Sequence, residues 1–298
     1  MSERAQSAGW RLTVAGVALA VSIFAVAWFA IAALGAKFGL WGWPFGLGKM
    51  TLAWGPLITG FALGLSVIAL IIGMIKSPRV QPVILALAAL LIALMIGFRL
   101  IGFKAQAGSL PPIHDIQTDW SDPIRFSESL LAQRKSDDAT NPVEEAPVIA
   151  EGADARWPGM GGRLVSEVQE EAEAERVVDG ETVPPAYDRP IEPVYFDQSP
   201  GEIAALALQL AEHQGWTIFS PPATGQDVES TMMEATATTG WFGFKDDVAV
   251  RIRAVDGATR VDMRSISRVG LSDLGANARR VSSFMDELED RANGRREP

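Results

Sequence analysis

Three long stretches without an ionised side chain dominate the first hundred residues. Residues 12–36 contain no Asp, Glu, Lys or Arg, and these 25 residues, as helix at 1.5 Å each, span roughly 38 Å, more than the ~30 Å hydrocarbon core of a bilayer. A second such run covers residues 51–75 and a third residues 81–98, closed by Arg99, whose long side chain can reach an interface. A helix in a water-soluble core is apolar along one stripe, not all round. Three transmembrane helices within residues 1–104 are therefore expected. The first is expected to be kept as an anchor, because its apolar stretch exceeds that of a cleaved leader and two further runs follow.

Between the first two runs, Phe38, Trp41, Trp43 and Phe45 alternate with Gly39, Gly42, Gly46 and Gly48, a composition suited to a loop at headgroup level. Gly60 and Gly64 make a G-x-x-x-G step, which serves either packing among the three helices or a homo-oligomer. The basic residues tie on orientation: Arg4, Arg11, Lys76 and Arg79 fall on one side, Lys37, Lys49, Arg99 and Lys104 on the other. The compact basic turn Lys76-Ser77-Pro78-Arg79 is of the kind found on a cytoplasmic face, which sends the C-terminal part outward.

Up to Lys104 a single acid, Glu3, stands against eight Lys and Arg, whereas the remainder holds 35 acids against 18 Lys and Arg. An acidic soluble part argues against nucleic acid, which is bound by clustered cations. The absence of cysteine removes disulfides, thiolate catalysis and Cys-ligated metals. His114 and His213 are too far apart to form a ligand pair, so no metal and no cofactor is expected.

Residues 105–131 mix turn and apolar residues and read as an ordered extended segment leaving the membrane. Residues 132–189 are rich in Glu, Asp, Pro, Ala and Gly, too poor in large apolar residues to offset the entropy of ordering, and are expected to be a mobile acidic insert, with a transient helix over 163–177. The compact domain spans 190–298. It opens on Ser199-Pro200-Gly201-Glu202, a capping box that predicts a helix with an apolar stripe of Ile203, Leu206, Ala207, Leu210 and Ala211, ended by Gly215. Strands follow over 216–219, 228–238, 248–255 and 259–267, with Asp256-Gly257 turning the last hairpin. A final helix is placed from Ser272, with Val281, Phe284, Met285 and Leu288 on its apolar side and a basic tail from Arg291 to Arg296. The fold class is thus an α-helical membrane anchor plus an α+β soluble domain: helix, four-stranded antiparallel meander, helix.

Three motifs occur in order: Pro112-Ile113-His114-Asp115 with Gly215-Trp216; Trp241-Phe242-Gly243-Phe244-Lys245-Asp246-Asp247-Val248; and Arg264-Ser265-Ile266-Ser267-Arg268-Val269-Gly270-Leu271-Ser272-Asp273-Leu274-Gly275-Ala276-Asn277. Together they resemble the family called domain of unknown function 1499, over about residues 110–130 and 190–290. Members look like bacterial envelope or plastid proteins held by a lipid or by membrane helices, so the resemblance implies a bacterial inner-membrane protein with a periplasmic domain. It implies no activity. The acidic insert departs from shorter members.

The polar residues of these motifs, with their neighbours, form the candidate site: His114, Asp115 and Asp119; Asp246 and Asp247; Arg251, Arg264 and Arg268; Ser272, Asp273, Asn277 and Arg280. If they meet, they make either a salt-bridged structural network or a pocket for an anion, since guanidinium forks and a helix N-terminus both favour phosphate or carboxylate. The preferred expectation is a non-catalytic binding module, taking a protein partner, a lipid headgroup or another anion. In that reading Arg264→Ala or Arg268→Ala abolishes binding and leaves folding intact. The rival is an envelope hydrolase with His114 and a nearby Asp as acid and base, although adjacent residues of an extended segment point to opposite sides.

Overall fold

The computed structural model describes residues 3–178, 180–187 and 189–294, so Arg295 and Arg296 of the basic tail lie outside the described residues. The chain falls into two compact units, Met1–Gln106 with Thr239–Gly243, and Ala107–Thr238 with Phe244–Pro298.

The first unit is helical: α1 (Glu3–Lys37), α2 (Gly55–Ile75) and α3 (Val80–Ser109). Three of its stretches, Gly9–Lys37, Pro44–Ile75 and Val80–Ser109, are long and apolar enough to cross a membrane. Their seam follows a heptad spacing and is built mostly of small residues. Arg11, Ala15, Ala18, Ser22 and Ala25 are buried on α1, Thr59, Ala62, Ser66, Ala69 and Gly73 on α2, and Pro82, Ala86, Ala89, Ala93 and Ile96 on α3. Steps of four and three keep one face toward the neighbours, and small side chains let the backbones approach. Gly60 and Gly64 are not part of this seam, because a Cβ at either would meet nothing within 4 Å.

The glycine-aromatic stretch expected to be a loop is helical from Pro44 onward, in wide π-type turns over Pro44–Trp54 that run into α2. Wide turns leave carbonyls free. Side chains occupy two of them: the Trp28 indole N–H donates to Met50 O at 2.9 Å and the Thr51 hydroxyl to Gly46 O at 2.9 Å, while the Trp41 indole donates to Ala32 O of α1 at 3.1 Å.

The second unit carries, in chain order, β1 (Asp115–Gln117), α4 (Glu128–Ser136), α5 (Val165–Glu173), β2 (Arg176–Val178), β3 (Glu181–Val183), β4 (Val194–Phe196), α6 (Pro200–His213), β5 (Thr217–Ser220), β6 (Ser230–Thr238), β7 (Lys245–Val255), β8 (Ala258–Ser267) and α7 (Ala276–Ala292). The expected four-strand antiparallel meander is present as β5 to β8 but is not the whole sheet. The sheet has six strands in the order β1-β8-β7-β6-β5, with β4 also on β8. β1 covers Arg264 to Ile266 and β4 covers Thr259 to Val261, so two short segments from before the meander lie end to end along one edge. Strands of three residues give little periodic signal, which is why composition did not expose them.

One sheet face, built from Met233, Ala235, Val248, Val250, Ile252, Val261 and Met263, packs against the apolar stripes of α6 and α7 in the main core. There Trp216 stacks on Phe284, with ring centroids 5.0 Å apart. The capping box at α6 forms as the sequence indicates, with Ser199 N–H donating to Glu202 Oε2 at 3.0 Å and Ser199 Oγ accepting from Glu202 N–H at 3.4 Å. Gly201 is required by a close approach: a Cβ there would sit 1.8 Å from Gly225 O. Gly201→Ala should therefore lower stability by about 1–3 kcal/mol, the range for overpacking, read as a shift in the unfolding midpoint. An unchanged midpoint would mean that the loop holding Gly225 yields freely.

α7 starts four residues later than expected, and Ser272 does not cap it. The residue before its first turn is Gly275 at φ 73°. Asp273 performs the capping chemistry instead, its carboxylate accepting from Gly275 N–H at 2.8 Å and Asn277 N–H at 2.7 Å.

Residues 132–189 contribute to the core despite their acidic composition. Ile149, Ala153, Val165, Val168, Ala172 and Tyr187 are buried in the same cluster as the sheet. Gln169 of α5 serves the open edge of β1: its amide oxygen accepts from Gln117 N–H at 3.3 Å and from the Trp120 indole at 2.9 Å, while its NH2 donates to Gln117 O at 3.0 Å.

Candidate functional site

The second sheet face is polar, and residues 118–145 cover it. Strand alternation places Asp247, Arg251 and Arg253 of β7 on this face beside Arg260, Asp262 and Arg264 of β8, because Arg251 pairs with Asp262 and Arg253 with Arg260. Ile124, Phe126 and Leu130 of the covering segment pack on Ala249 and Ile266, drying the middle of the face.

Arg264 lies in that dry region, 1 % exposed. Its Nε and Nη2 donate to the two carboxylate oxygens of Asp115 at 3.0 and 2.6 Å, Nη1 donates to Ile124 O at 2.8 Å, and Nη2 also reaches Glu144 O at 2.6 Å. The guanidinium also sits 5.6 Å from the Trp120 ring centroid and 5.9 Å from that of Phe126. Its charge and its donors are thus met from within the domain, which is the first of the two outcomes weighed from the sequence.

Asp247, fully buried, is the centre of a second group. It accepts from Arg134 Nη1 at 2.5 Å, from Arg268 Nε at 2.9 Å and Nη2 at 2.8 Å, and from the Thr236 hydroxyl at 2.8 Å. Asp137 extends the chain, 2.5 Å from Arg268 and 2.7 Å from Lys245. Burial pulls the Arg134 guanidinium down from its ordinary value against the opposing field of Asp247. Burial also acts downward on Arg268, but there the bond and field of Asp247 outweigh it and the group is raised.

Asp246 points to the helical side of the sheet, where Arg280 of α7 meets it at 2.5 Å. Arg280 also donates to Ser265 Oγ at 2.9 Å and to the Asn277 side-chain oxygen. Asn277, buried, ties the helix to the leading segment by donating to His114 O at 2.9 Å and Ser267 Oγ at 3.0 Å. Ser272 donates to Pro111 O at 3.1 Å. Burial pushes the Asp273 carboxyl up to about 6, despite the two backbone N–H groups it accepts from.

The candidates therefore do not converge on one pocket. They divide between the two faces of the sheet. His114 is joined to the network through its backbone carbonyl, while its Nδ1 is buried without a partner and burial lowers the ring's pKa. Both oxygens of Asp115 are held by Arg264, so the adjacent acid is not paired with the imidazole. Among the described residues no group of three or more His, Asp or Glu is placed to hold a metal ion.

Residues 115–288 match the family described as Protein of unknown function (DUF1499). The chain belongs to this family. No curated protein and no solved structure matches it. The DUF1499 match opens on Asp115 and ends on Leu288, so it takes in both partners of the Arg264 pair, all of β4 to β8 and the apolar stripe of α7.

A third polar group of the DUF1499 domain is the most open to solvent. Asp262 is met by Arg260 at 2.7 Å, Arg253 at 3.1 Å and Arg251 at 3.4 Å. Asp119 pairs with Arg260 at 2.5 Å, and Asp122 bridges Arg253 at 2.8 Å and Arg251 at 3.1 Å. Burial would raise the Asp119 carboxyl, but hydrogen bonds from Ser121 and Arg260 overcome it and hold the group at about 2. Asp122 is half exposed, with side-chain exposure 49 % against 15 % for Arg251. Beside it a shallow cavity of ≈ 480 Å³ is lined by Asp122, Ile124, Arg125, Glu145, Met232 and Arg251.

Arg251 and Asp119 were the two members of this group visible as candidates in the sequence. Asp122, Arg253, Arg260 and Asp262 were missed, as were Arg134 and Asp137 in the second group. A signal was present for part of it: Arg260, Asp262, Arg264, Ile266 and Arg268 alternate along one strand, which puts four charged residues on one face.

Proposed function

We propose that the chain is a membrane-anchored, non-catalytic binding module of the bacterial inner membrane, with its soluble domain in the periplasm, and that the Arg251 cavity receives one carboxylate or phosphate group of a protein partner or a lipid headgroup. The anchor rests on the three helices of membrane length. Its orientation rests on the basic turn after α2, and Arg11 of α1 donates to the carbonyls of Lys76 and Ser77 in that turn, which puts the two basic ends at one end of the helical unit.

The observation that carries the binding reading is the unequal burial of the Asp122 pair. The acids that meet Arg264 and Arg268 are buried or held by several donors, whereas Arg251 and Arg253, besides the buried Asp262 beneath them, share in Asp122 an acid that is half in water at the lip of a cavity. A half-exposed ion pair contributes little, about 0–1 kcal/mol. An incoming anion can therefore take the place of Asp122 at small cost, retaining the guanidinium contacts and adding its own apolar part against Met232 and Ile124.

Full-length protein in nanodiscs, titrated with short-chain phosphatidylglycerol and, separately, with a peptide bearing a free C-terminal carboxylate, tests this. Asp122→Ala should tighten binding of whichever probe is the better ligand by several-fold, since an internal competitor is removed. Arg251→Ala should weaken it at least tenfold with the melting transition retained. Binding that ignores both substitutions would remove the cavity as the site.

A further inference from the structure

We infer that the tip of the β6–β7 hairpin, Thr239–Phe244, is a membrane-interface anchor that inserts Trp241 into the headgroup layer of the bilayer. The inference rests on the membrane-anchored reading and goes beyond it, since it assigns a lipid contact to a hairpin tip that groups with the helical unit, in addition to the three helices. Its sequence, Thr239-Gly240-Trp241-Phe242-Gly243-Phe244, has no charged residue, in a part of the chain that carries 35 acids. Trp241 is 63 % exposed, more than any other aromatic residue described beyond α3. Gly243 N–H donates to Thr239 O at 3.2 Å and Gly243 holds φ 70°, so a turn with glycine on either side of the Trp-Phe pair presents the indole at its apex.

A large apolar ring with one N–H donor is costly to leave in water and suits the boundary between headgroups and acyl chains, where its two ends are both accommodated. An acidic domain is repelled by anionic lipid. An uncharged tip can approach a bilayer without that repulsion. The connection between α3 and the soluble domain is short. Leu110, a core residue of the soluble domain, follows directly on α3, only seven residues after Phe103, or roughly 10 Å along a helix.

The chain has no cysteine, so one introduced thiol gives one labelled position. A Cβ at Gly240 meets nothing within 4 Å, which makes Gly240→Cys a suitable site that keeps Trp241 in place. The full chain, labelled there with an environment-sensitive fluorophore and reconstituted in phosphatidylcholine–phosphatidylglycerol nanodiscs, is challenged with lipid spin-labelled at the headgroup and with aqueous iodide. Asp227→Cys, in the loop before β6 and hence at the other end of that strand, is the water-exposed comparison. Leu91→Cys, midway along α3 and 70 % exposed there, probed with tail-labelled lipid, reports on the anchor itself.

Headgroup-label quenching at Gly240→Cys at least threefold above that at Asp227→Cys, reduced severalfold by adding Trp241→Glu, is the expected result. Iodide quenching equal at the two positions, or headgroup quenching unchanged by Trp241→Glu, overturns the inference while the anchor stands if Leu91→Cys is quenched from the tails. No quenching at Leu91→Cys overturns the anchor and the inference with it.

Discussion

Replacing Arg264 by alanine should lower folding stability by roughly 3–5 kcal/mol, the cost of removing one partner from a buried ion pair and leaving the other uncompensated. Domains are stable by only about 5–15 kcal/mol, so this loss is a large part of the whole. Asp115, at 1 % exposure, would lose the guanidinium bonded to both of its oxygens, and the carbonyls of Ile124 and Glu144 would each lose a donor. The effect should appear as a large fall in the unfolding midpoint of full-length protein in detergent. Arg264→Lys should recover only part of it, because a single ammonium cannot span both Asp115 oxygens and two carbonyls. The paired replacement Asp115→Leu with Arg264→Met should be milder than either single change, since it removes both charges and both desolvation costs. A protein that carries Arg264→Ala with an unchanged midpoint would restore Arg264 as a ligand-binding residue and contradict the role derived from its burial.

That outcome differs from the reading available from the sequence, in which Arg264→Ala spares folding and removes binding. The arginines and acids were legible as residue types, and the alternation on β8 put several of them on one face. Their burial was not legible, because the cover is supplied from residues 118–145, far from β8 in the chain and unlike a strand or long helix in pattern. Elements decided by short-range chemistry were legible. The capping box of α6 and the three long antiparallel strands β6 to β8 stand close to their expected positions, since a cap needs only residues three apart and alternation needs only one strand.

The helical unit divides in the same way. Length and lack of charge identified three helices, but the G-x-x-x-G step drew attention to Gly60 and Gly64, whereas the seam uses Ala, Ser and Thr at heptad spacing on the other side of α2. Each of those residues is common in any apolar helix, and only the register between helices selects them. Residues 132–189 present the opposite difficulty. Their apolar residues are few and scattered, so average composition pointed away from a core, yet Ile149, Val165, Val168 and Tyr187 bury individually against a surface built by other segments. Entropy is offset there by a few anchors and by the Gln169 bonds to β1, and a window average does not register isolated anchors.

Asp247→Ala should be at least as damaging as the Arg264 substitution, because one carboxylate neutralises two buried arginines. Without it Arg134 and Arg268, 3 % and 4 % exposed, remain as like charges on either side of the vacated position, with Asp137 able to serve Arg268 alone. Arg134 would keep its bond to Asn141 O but no carboxylate, and α4 would lose its charged tie to the sheet. The expected loss is again of the order of 3–5 kcal/mol or more, and it should change little between low and high salt, since buried pairs are poorly screened. Asp247→Asn separates charge from shape: it keeps the volume and one acceptor, so if it is nearly as destabilising as alanine, the lost charge is responsible. Adding Arg134→Met to Asp247→Ala should return part of the stability by removing one orphaned cation, a non-additivity that an exposed pair would not give. Should Asp247→Ala unfold at the same denaturant concentration as the parent protein, the polar face would not be what fastens α4 to β7, and the cover over Arg264 would have to be held by its apolar contacts alone.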